Sequence, residues 1–185
     1  MSNSSKEDFM ATIDLIVLGM VKQQPLSAYD IQKLVEYRNI SRWVKISTPS
    51  IYKKVIQLEN KGYIKSTLVK EGNKAEKAIY GLTDAGQTEF QRLMQEISQQ
   101  PIHIFLDFNA VMVNLASLAP NEQRQCIANI EENIVNLKNY LAENQAAKEH
   151  SAEIPETGLA VLQQQIILAE AIEKWLHSVK EGLEG

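Results

Sequence analysis

Apolar positions along this chain predict helices first, then a short pair of strands, then helices again. From about Phe9 to Gln23, the residues Phe9, Met10, Ile13, Leu15, Ile16, Val17, Leu18, Met20 and Val21 cover most of a helical circumference. A helix apolar nearly all round is buried against more than one partner. Pro25 ends it. Ser27 suits the cap of a second helix over 28–37, whose inner face is Tyr29 or Ile31 with Leu34 and Val35. A connector over 38–46 holds Arg42, Trp43 and Lys45. The third helix, over 48–61, is marked at both ends. Ser47 or Thr48 can cap it, Pro49 suits its first position, and Gly62 sits where a left-handed residue is wanted. Ile51, Val55 and Leu58 recur at i, i+4 and i+7. The opposite face carries Ser50, Lys53, Gln57 and Asn60, with Lys54 on its flank.

Residues 63–70 are rich in aromatic and β-branched side chains and predict a strand. Residues 78–82 predict its partner, across a polar loop with a Gly72-Asn73 turn signal. A helix over 84–99 follows, and Pro101 closes the unit, so two domains are expected, 1–100 and 101–185. The C-terminal domain reads as all-helical. Residues 104–118 are strongly apolar. A helix from Pro120 to Lys148 carries Ile127, Ile130, Ile134, Leu137 and Leu141 at steps of 3, 4, 3 and 4, a seam for packing along another helix. After a polar break, a last helix from 156 or 158 to 182 bears two apolar stripes. Leu162, Ile166, Ala169, Ile172, Leu176, Val179 and Leu183 form one; Val161, Leu168 and Trp175 form the other. Two stripes fit one contact with the chain's own long helix and one with a second subunit; the alternative is a closed monomeric bundle that includes 104–118. The expected class is mainly α: an N-terminal winged helix-turn-helix, three helices plus a two-stranded wing, followed by an α-helical dimerisation region.

Composition narrows this reading. The 185 residues are 44% hydrophobic, which supplies a packed core, yet no apolar run reaches the roughly 18 residues of a membrane-spanning helix. The apolar N-terminal helix contains Asp14 and follows Lys6-Glu7-Asp8, unlike a secretory leader. Cys126 is the only cysteine, so no intramolecular disulfide forms; a reducing cytoplasm and a buried, inert thiol are expected. The net charge of −4 hides a split. Residues 38–77 hold ten Lys/Arg against three acids, while residues 101–185 hold five against twelve. A local basic zone on an acidic chain can bind phosphates without coating nucleic acid indiscriminately. Catalytic patterns are missing: His103, His150 and His177 lie far apart with no partner at ligand spacing, and no phosphate-binding glycine loop or nucleophile elbow occurs. No enzyme activity, metal or cofactor is expected.

Three blocks carry a resemblance to a known family. Pro25-Leu26-Ser27-Ala28-Tyr29-Asp30-Ile31 is similar to the start of helix 2 in PadR-family transcriptional regulators, with Ala28 where glycine is usual. Ser47-Thr48-Pro49-Ser50-Ile51-Tyr52 and Leu58-Glu59-Asn60-Lys61-Gly62-Tyr63-Ile64 resemble its helix 3 and first strand. Lys77-Ala78-Ile79-Tyr80-Gly81-Leu82-Thr83-Asp84-Ala85-Gly86 resembles its second strand and following helix start. The blocks cover roughly 9–90. Trp43-Val44-Lys45 and the long helical C-terminal half fit the family's longer subfamily. Lys53 and Lys54 depart from a common Pro-Leu pair. The resemblance implies a homodimer on a partly palindromic operator, more a repressor than an activator, paired through the C-terminal helices together with helix 1. The implied interface is Phe9, Ile13, Ile16, Leu162, Ile166, Leu168, Ile172, Trp175, Leu176 and Val179.

In helix-turn-helix proteins the early residues of the recognition helix meet base edges. Lys53 and Gln57 can pair with guanine and adenine, while Thr48, Ser50 and Tyr52 suit phosphates. Lys54 adds charge on the flank, Arg42 and Lys45 can grip phosphates beside the helix, and Lys70, Lys74 and Lys77 place cations on the wing. A small aromatic molecule is a further candidate partner, since Phe105, Phe108 and Met112, with Trp43 and Trp175, could line a cavity; a plain apolar core is the competing reading. The function competing with DNA binding is a protein-interaction module that keeps the winged helix and works through its acidic half. No membrane partner is expected.

Overall fold

The computed structural model describes residues 3–44, 46, 50–70, 76–151 and 153–184, with side chains described from residue 11 to 182 within those ranges. Lys45 and Lys74, the cap candidates Ser47 and Thr48, Pro49 at the expected first helical position, the Gly72-Asn73 turn, and the side chains of Phe9 and Leu183 lie outside the described residues. Contacts divide the chain into two compact units, Met1–Ile102 and His103–Gly185.

The first unit runs α1 (Asn3–Gln23), α2 (Ala28–Tyr37), a 3-10 turn (Ile40–Arg42), α3 (Ser50–Asn60), β1 (Ile64–Val69), β2 (Lys77–Leu82) and α4 (Asp84–Ser98). This is a winged helix-turn-helix. Helix α1 begins at Asn3, earlier than the expected Phe9. Its apolar breadth has a physical cause: it packs against α3, α4 and β2 at once. Val17 and Leu18 are fully covered, and with Ile31, Val35, Ile51, Val55, Leu58, Ile64 and Leu93 they form one core. Ile13, expected at a subunit interface, is 3% exposed and belongs to this core, so it presents no surface there; Ile16 is half-buried against the same core.

Caps and turns fix how the elements meet. Ser27 accepts from the Asp30 N–H at 3.2 Å while the Asp30 carboxylate accepts from the Ser27 N–H at 3.2 Å, a reciprocal cap for α2. Gly62, at φ 76°, ends α3 with its N–H on the Glu59 carbonyl at 2.8 Å and the Tyr63 N–H on the Leu58 carbonyl at 3.0 Å. Thr83 caps α4 by accepting from the Gly86 N–H at 3.0 Å, and its hydroxyl donates back to the Gly62 and Tyr63 carbonyls. The wing is an antiparallel pair with Ser66 opposite Tyr80. Tyr80 turns both backbone groups the other way, onto Leu26, at 2.8 and 3.1 Å, so β2 has a neighbour on each side. On β1 the Ser66 N–H is met by the Glu59 carboxylate at 3.0 Å, which ties the wing to the end of α3.

The second unit holds α5 (Asn109–Asn114), a 3-10 turn (Leu115–Ser117), α6 (Pro120–Lys148) and α7 (Glu156–Glu184). The apolar run 104–118 is helical only in its second half. Ile104 and Phe105 stay exposed, and a short segment that buries no face gains too little from packing to offset the cost of ordering a helix. Helices α6 and α7 pack together through Ile127, Ile130, Ile134 and Leu141 on one and Leu162, Ala169 and Leu176 on the other. Leu137, expected in that seam, is 44% exposed. Interhelix ion pairs flank the contact: Lys138 on Glu173 and Lys180 on Glu131, each at 2.6 Å.

Candidate nucleic-acid interface

Helix α3 has an asymmetric exposure that its sequence dictates. Ile51, Val55 and Leu58 are wholly covered. Turning about 100° per residue from Ile51 places Tyr52, Ile56, Asn60, Lys53 and Gln57 across the far side. Tyr52 is 45% and Ile56 54% exposed; Lys53 and Asn60 are exposed or half-exposed, and Gln57 and Ser50 are half-buried. This outward face mixes a cation, two amides, a hydroxyl and one branched apolar side chain. Those are the groups that read base edges: Lys for guanine, amides for adenine, and an apolar contact for the thymine methyl. Ile56 is not among the residues that sequence reasoning selects. Its position opposite the core is legible from the helical period, but an apolar residue is ordinarily assigned inward.

Lys54 is a correction. The sequence places it on the DNA-facing flank, whereas it is 5% exposed, with Nζ 2.6 Å from Oδ1 of Asp14 on α1. It stands only about 60° from Ile51, within the arc that a core-facing helix buries. Asp14, itself 5% exposed, also receives Lys61 at 3.5 Å. The signal for this pairing is present in the sequence. Asp14, the only acid between Phe9 and Gln23, cannot stay unpaired at low cost in so apolar a stretch.

The wing and α2 complete the surface. Lys70 is exposed at the end of β1. Lys77, half-exposed at the start of β2, meets the Asp30 carboxylate at 2.7 Å. Partial burial pushes the Asp30 carboxyl up, but the hydrogen bonds from Lys77 and Ser27, with the lysine's charge, outweigh it and hold the carboxyl below its ordinary value. Lys77 is thereby tethered to the N-terminus of α2, beside a groove of about 270 Å³ bordered by Ser27, Tyr29, Tyr52, Ile56 and Tyr80. Tyr29 is 55% exposed, with Lys33 over its ring at 5.6 Å. The apolar pattern offers Tyr29 as an inward residue, yet it borders this groove together with Tyr52 and Lys77. Arg42 is exposed on the 3-10 turn, beside Trp43.

Other predicted residues do not converge. Trp43 belongs to the first unit; Phe105, in the second, is 84% exposed and stacked on His103. Phe108 and Met112 pack against the Leu115–Ile127 cluster, and Phe108 stacks on Trp175 at 5.8 Å. The five expected aromatic-site residues therefore form no single cluster within either unit. On α7, Leu162 and Leu176 are buried against α6 and so are unavailable as interface surface. Ile166, Ile172 and Val179 are half-buried against the same packing, while Leu168 and Trp175 are exposed at 42% and 39%. Ile167, at 54%, extends the exposed side.

A helix-turn-helix with a basic-ended wing and a polar recognition face defines the class of winged-helix DNA-binding regulators. Within that class, residues 17–92 match the transcriptional regulator PadR-like family. A curated relative, the negative transcriptional regulator PadR of Bacillus subtilis, is 29% identical over 93 residues, and the match spans 50% of each protein. Among solved structures, B. subtilis PadR in complex with operator DNA has a TM-score of 0.74 at 24% identity, covering 93% of this chain and 99% of that one. The PadR-like regulator BC1756 of Bacillus cereus has a TM-score of 0.67 at 26% identity, with 92% and 94% covered. The virulence activator AphA of Vibrio cholerae has a TM-score of 0.68 at 19% identity, with 93% and 98% covered.

Proposed function

We propose that this chain is a sequence-specific DNA-binding regulator that acts as a homodimer on a partly palindromic operator, and that it represses. The observation that carries the reading is the division of α3. One face is locked into the core by Ile51, Val55 and Leu58, and the other offers Tyr52, Lys53, Ile56, Gln57 and Asn60 to solvent. Lys70, Lys77 and Arg42 supply phosphate contacts, and Tyr29 joins them through the groove on α2; Lys45, Lys74 and Thr48, outside the described residues, take the same role on the strength of the sequence alone. The solved B. subtilis relative in complex with operator DNA supports the DNA reading, and the name of the curated relative supports repression. The exposed Leu168 and Trp175 of α7 support pairing with a second copy. The acidic second unit limits attachment to random sequence.

Selection of bound sites from a random duplex pool, followed by footprinting, tests this. The expected footprint is two-fold, with half-sites about 34 Å apart, and its affinity falls steeply with salt. Failure to enrich any site at moderate salt contradicts the reading and favours the protein-interaction alternative. A ligand-responsive version has one specific support, the solved complex of the B. subtilis relative with p-coumaric acid. If this chain senses a phenolic acid, adding one releases the operator in the same binding assay.

A further inference from the structure

Lys54 is the neighbour of Lys53 on α3, yet the two lysines do opposite things. Lys53 is exposed on the outward face; Lys54 is buried and reaches Asp14 on α1. The contact is short but off the axis of a hydrogen bond, so it holds by charge. The second carboxylate oxygen of Asp14 takes Lys61, which approaches from the solvent side at 3.5 Å. Lys54 and Lys61 lie about 10.5 Å apart along the helical rise, two turns of one path. One carboxylate is therefore held from either side by the same stretch of chain.

A hydrophobic residue at 54 would serve stability at least as well, because burying a charge pair forfeits its hydration. What the pair adds is geometric choice. Apolar attraction is non-directional, so the contacts of Val55 and Leu58 reward close packing without naming one partner atom. The buried Lys54 ammonium has one anion in contact among the described residues, and any roll or slide of α3 that separates them leaves that cation unpaired under the surface and Asp14 with only the outer Lys61.

We propose that Asp14 and Lys54 are positioning residues for operator recognition. They fix the roll and depth of α3 on α1, with Lys61 closing the outer side, and so set the angle at which Lys53, Ile56, Gln57 and Asn60 meet the bases. The inference rests on the DNA-binding function proposed above. Both side chains are buried on the inner side of α3, so they act on specificity and leave general attraction to phosphate alone.

The test is the double variant Asp14→Leu/Lys54→Met, which replaces the pair by apolar groups of similar size and keeps the unit folded. Affinities for a selected operator and for a random duplex are measured at one salt concentration, beside the thermal midpoint. The expected result is an unchanged midpoint, unchanged random-duplex affinity, and operator affinity lowered at least about tenfold, the scale of one misplaced base contact. An operator-to-random ratio within about twofold of the parent, or equal losses on both duplexes, overturns the proposal. If the parent chain itself selects no operator, the DNA function fails and this inference with it; if it does and the double variant matches it, the inference alone fails.

Discussion

Replacing Lys54 by methionine removes the cation and leaves nearly the same volume in the core. What remains is the Asp14 carboxylate at 5% exposure. Breaking a buried pair by removing one partner costs about 3–5 kcal/mol, because the other charge stays buried without compensation. Here Lys61 moderates the loss. It is about half exposed and already 3.5 Å from Asp14, so it can close on the carboxylate. The expected cost of Lys54→Met is therefore about 2–3 kcal/mol, at or below the lower end of such effects. Asp14→Leu leaves the Lys54 ammonium buried with no other acid in contact among those described, and costs about 3–4 kcal/mol. The double variant returns to within about 1 kcal/mol of the parent, since apolar pairs of matched size replace buried ion pairs without loss. Urea unfolding at fixed protein concentration, followed by Trp43 fluorescence in a Trp175→Phe background, reports the winged-helix unit by itself. A single-variant cost under about 1 kcal/mol, or costs that add in the double variant, refutes the assignment of a coupled buried pair.

Gly86→Ala drives a methyl carbon into the Tyr63 carbonyl oxygen, so α4 must move off the base of β1; a loss of about 3 kcal/mol or more in urea unfolding is expected. Asp30→Asn removes the anchor of Lys77. Because the folded carboxyl is held below its ordinary value, its contribution is present above the unfolded pKa and is lost as the pH falls through the folded pKa. The stability gap between parent and Asp30→Asn is expected to be under about 1 kcal/mol at neutral pH, since the pair is partly exposed, and to close on acidification; a gap that widens in acid contradicts the linkage. Leu168→Glu/Trp175→Glu puts charge on the exposed side of α7, and sedimentation is expected to show a monomer whose winged-helix unit unfolds as before.

Much of the recognition unit is legible in the sequence because local rules and tertiary packing agree there. Ile51, Val55 and Leu58 repeat with the helix and are all buried, and Gly62 adopts the left-handed conformation that its place after the helix demands. Ser27 caps as its position suggests. Features set by partners distant in sequence are harder to see. Leu26 pairs with Tyr80 through two backbone bonds, which no side-chain pattern announces. Lys54 has the composition of a surface residue, and only the solitary Asp14, far earlier in the chain, hints that it turns inward. Ile13 reads as interface surface because an all-round apolar helix does not say which covers lie within its own chain. Apolarity alone overstates the helix at 104–118, where Ile104 and Phe105 find no covering face among the described residues. The two stripes of α7 are visible as a pattern. The inward one is Leu162, Ala169 and Leu176, and Leu168 and Trp175 stand on the other.

Operator affinity of the Lys53→Ala/Gln57→Ala variant, measured beside its random-duplex affinity and its oligomeric state, addresses the assignment of α3 as the reading helix. Each side chain is worth about 1–3 kcal/mol of base discrimination, so together they account for at least about 2 kcal/mol, or roughly thirtyfold. The expected result is an operator affinity lowered by at least that factor, with the oligomer unchanged and the random-duplex affinity reduced only by the loss of one positive charge. Operator binding within about threefold of the parent contradicts it, because the outward face of α3 would then not be reading the bases.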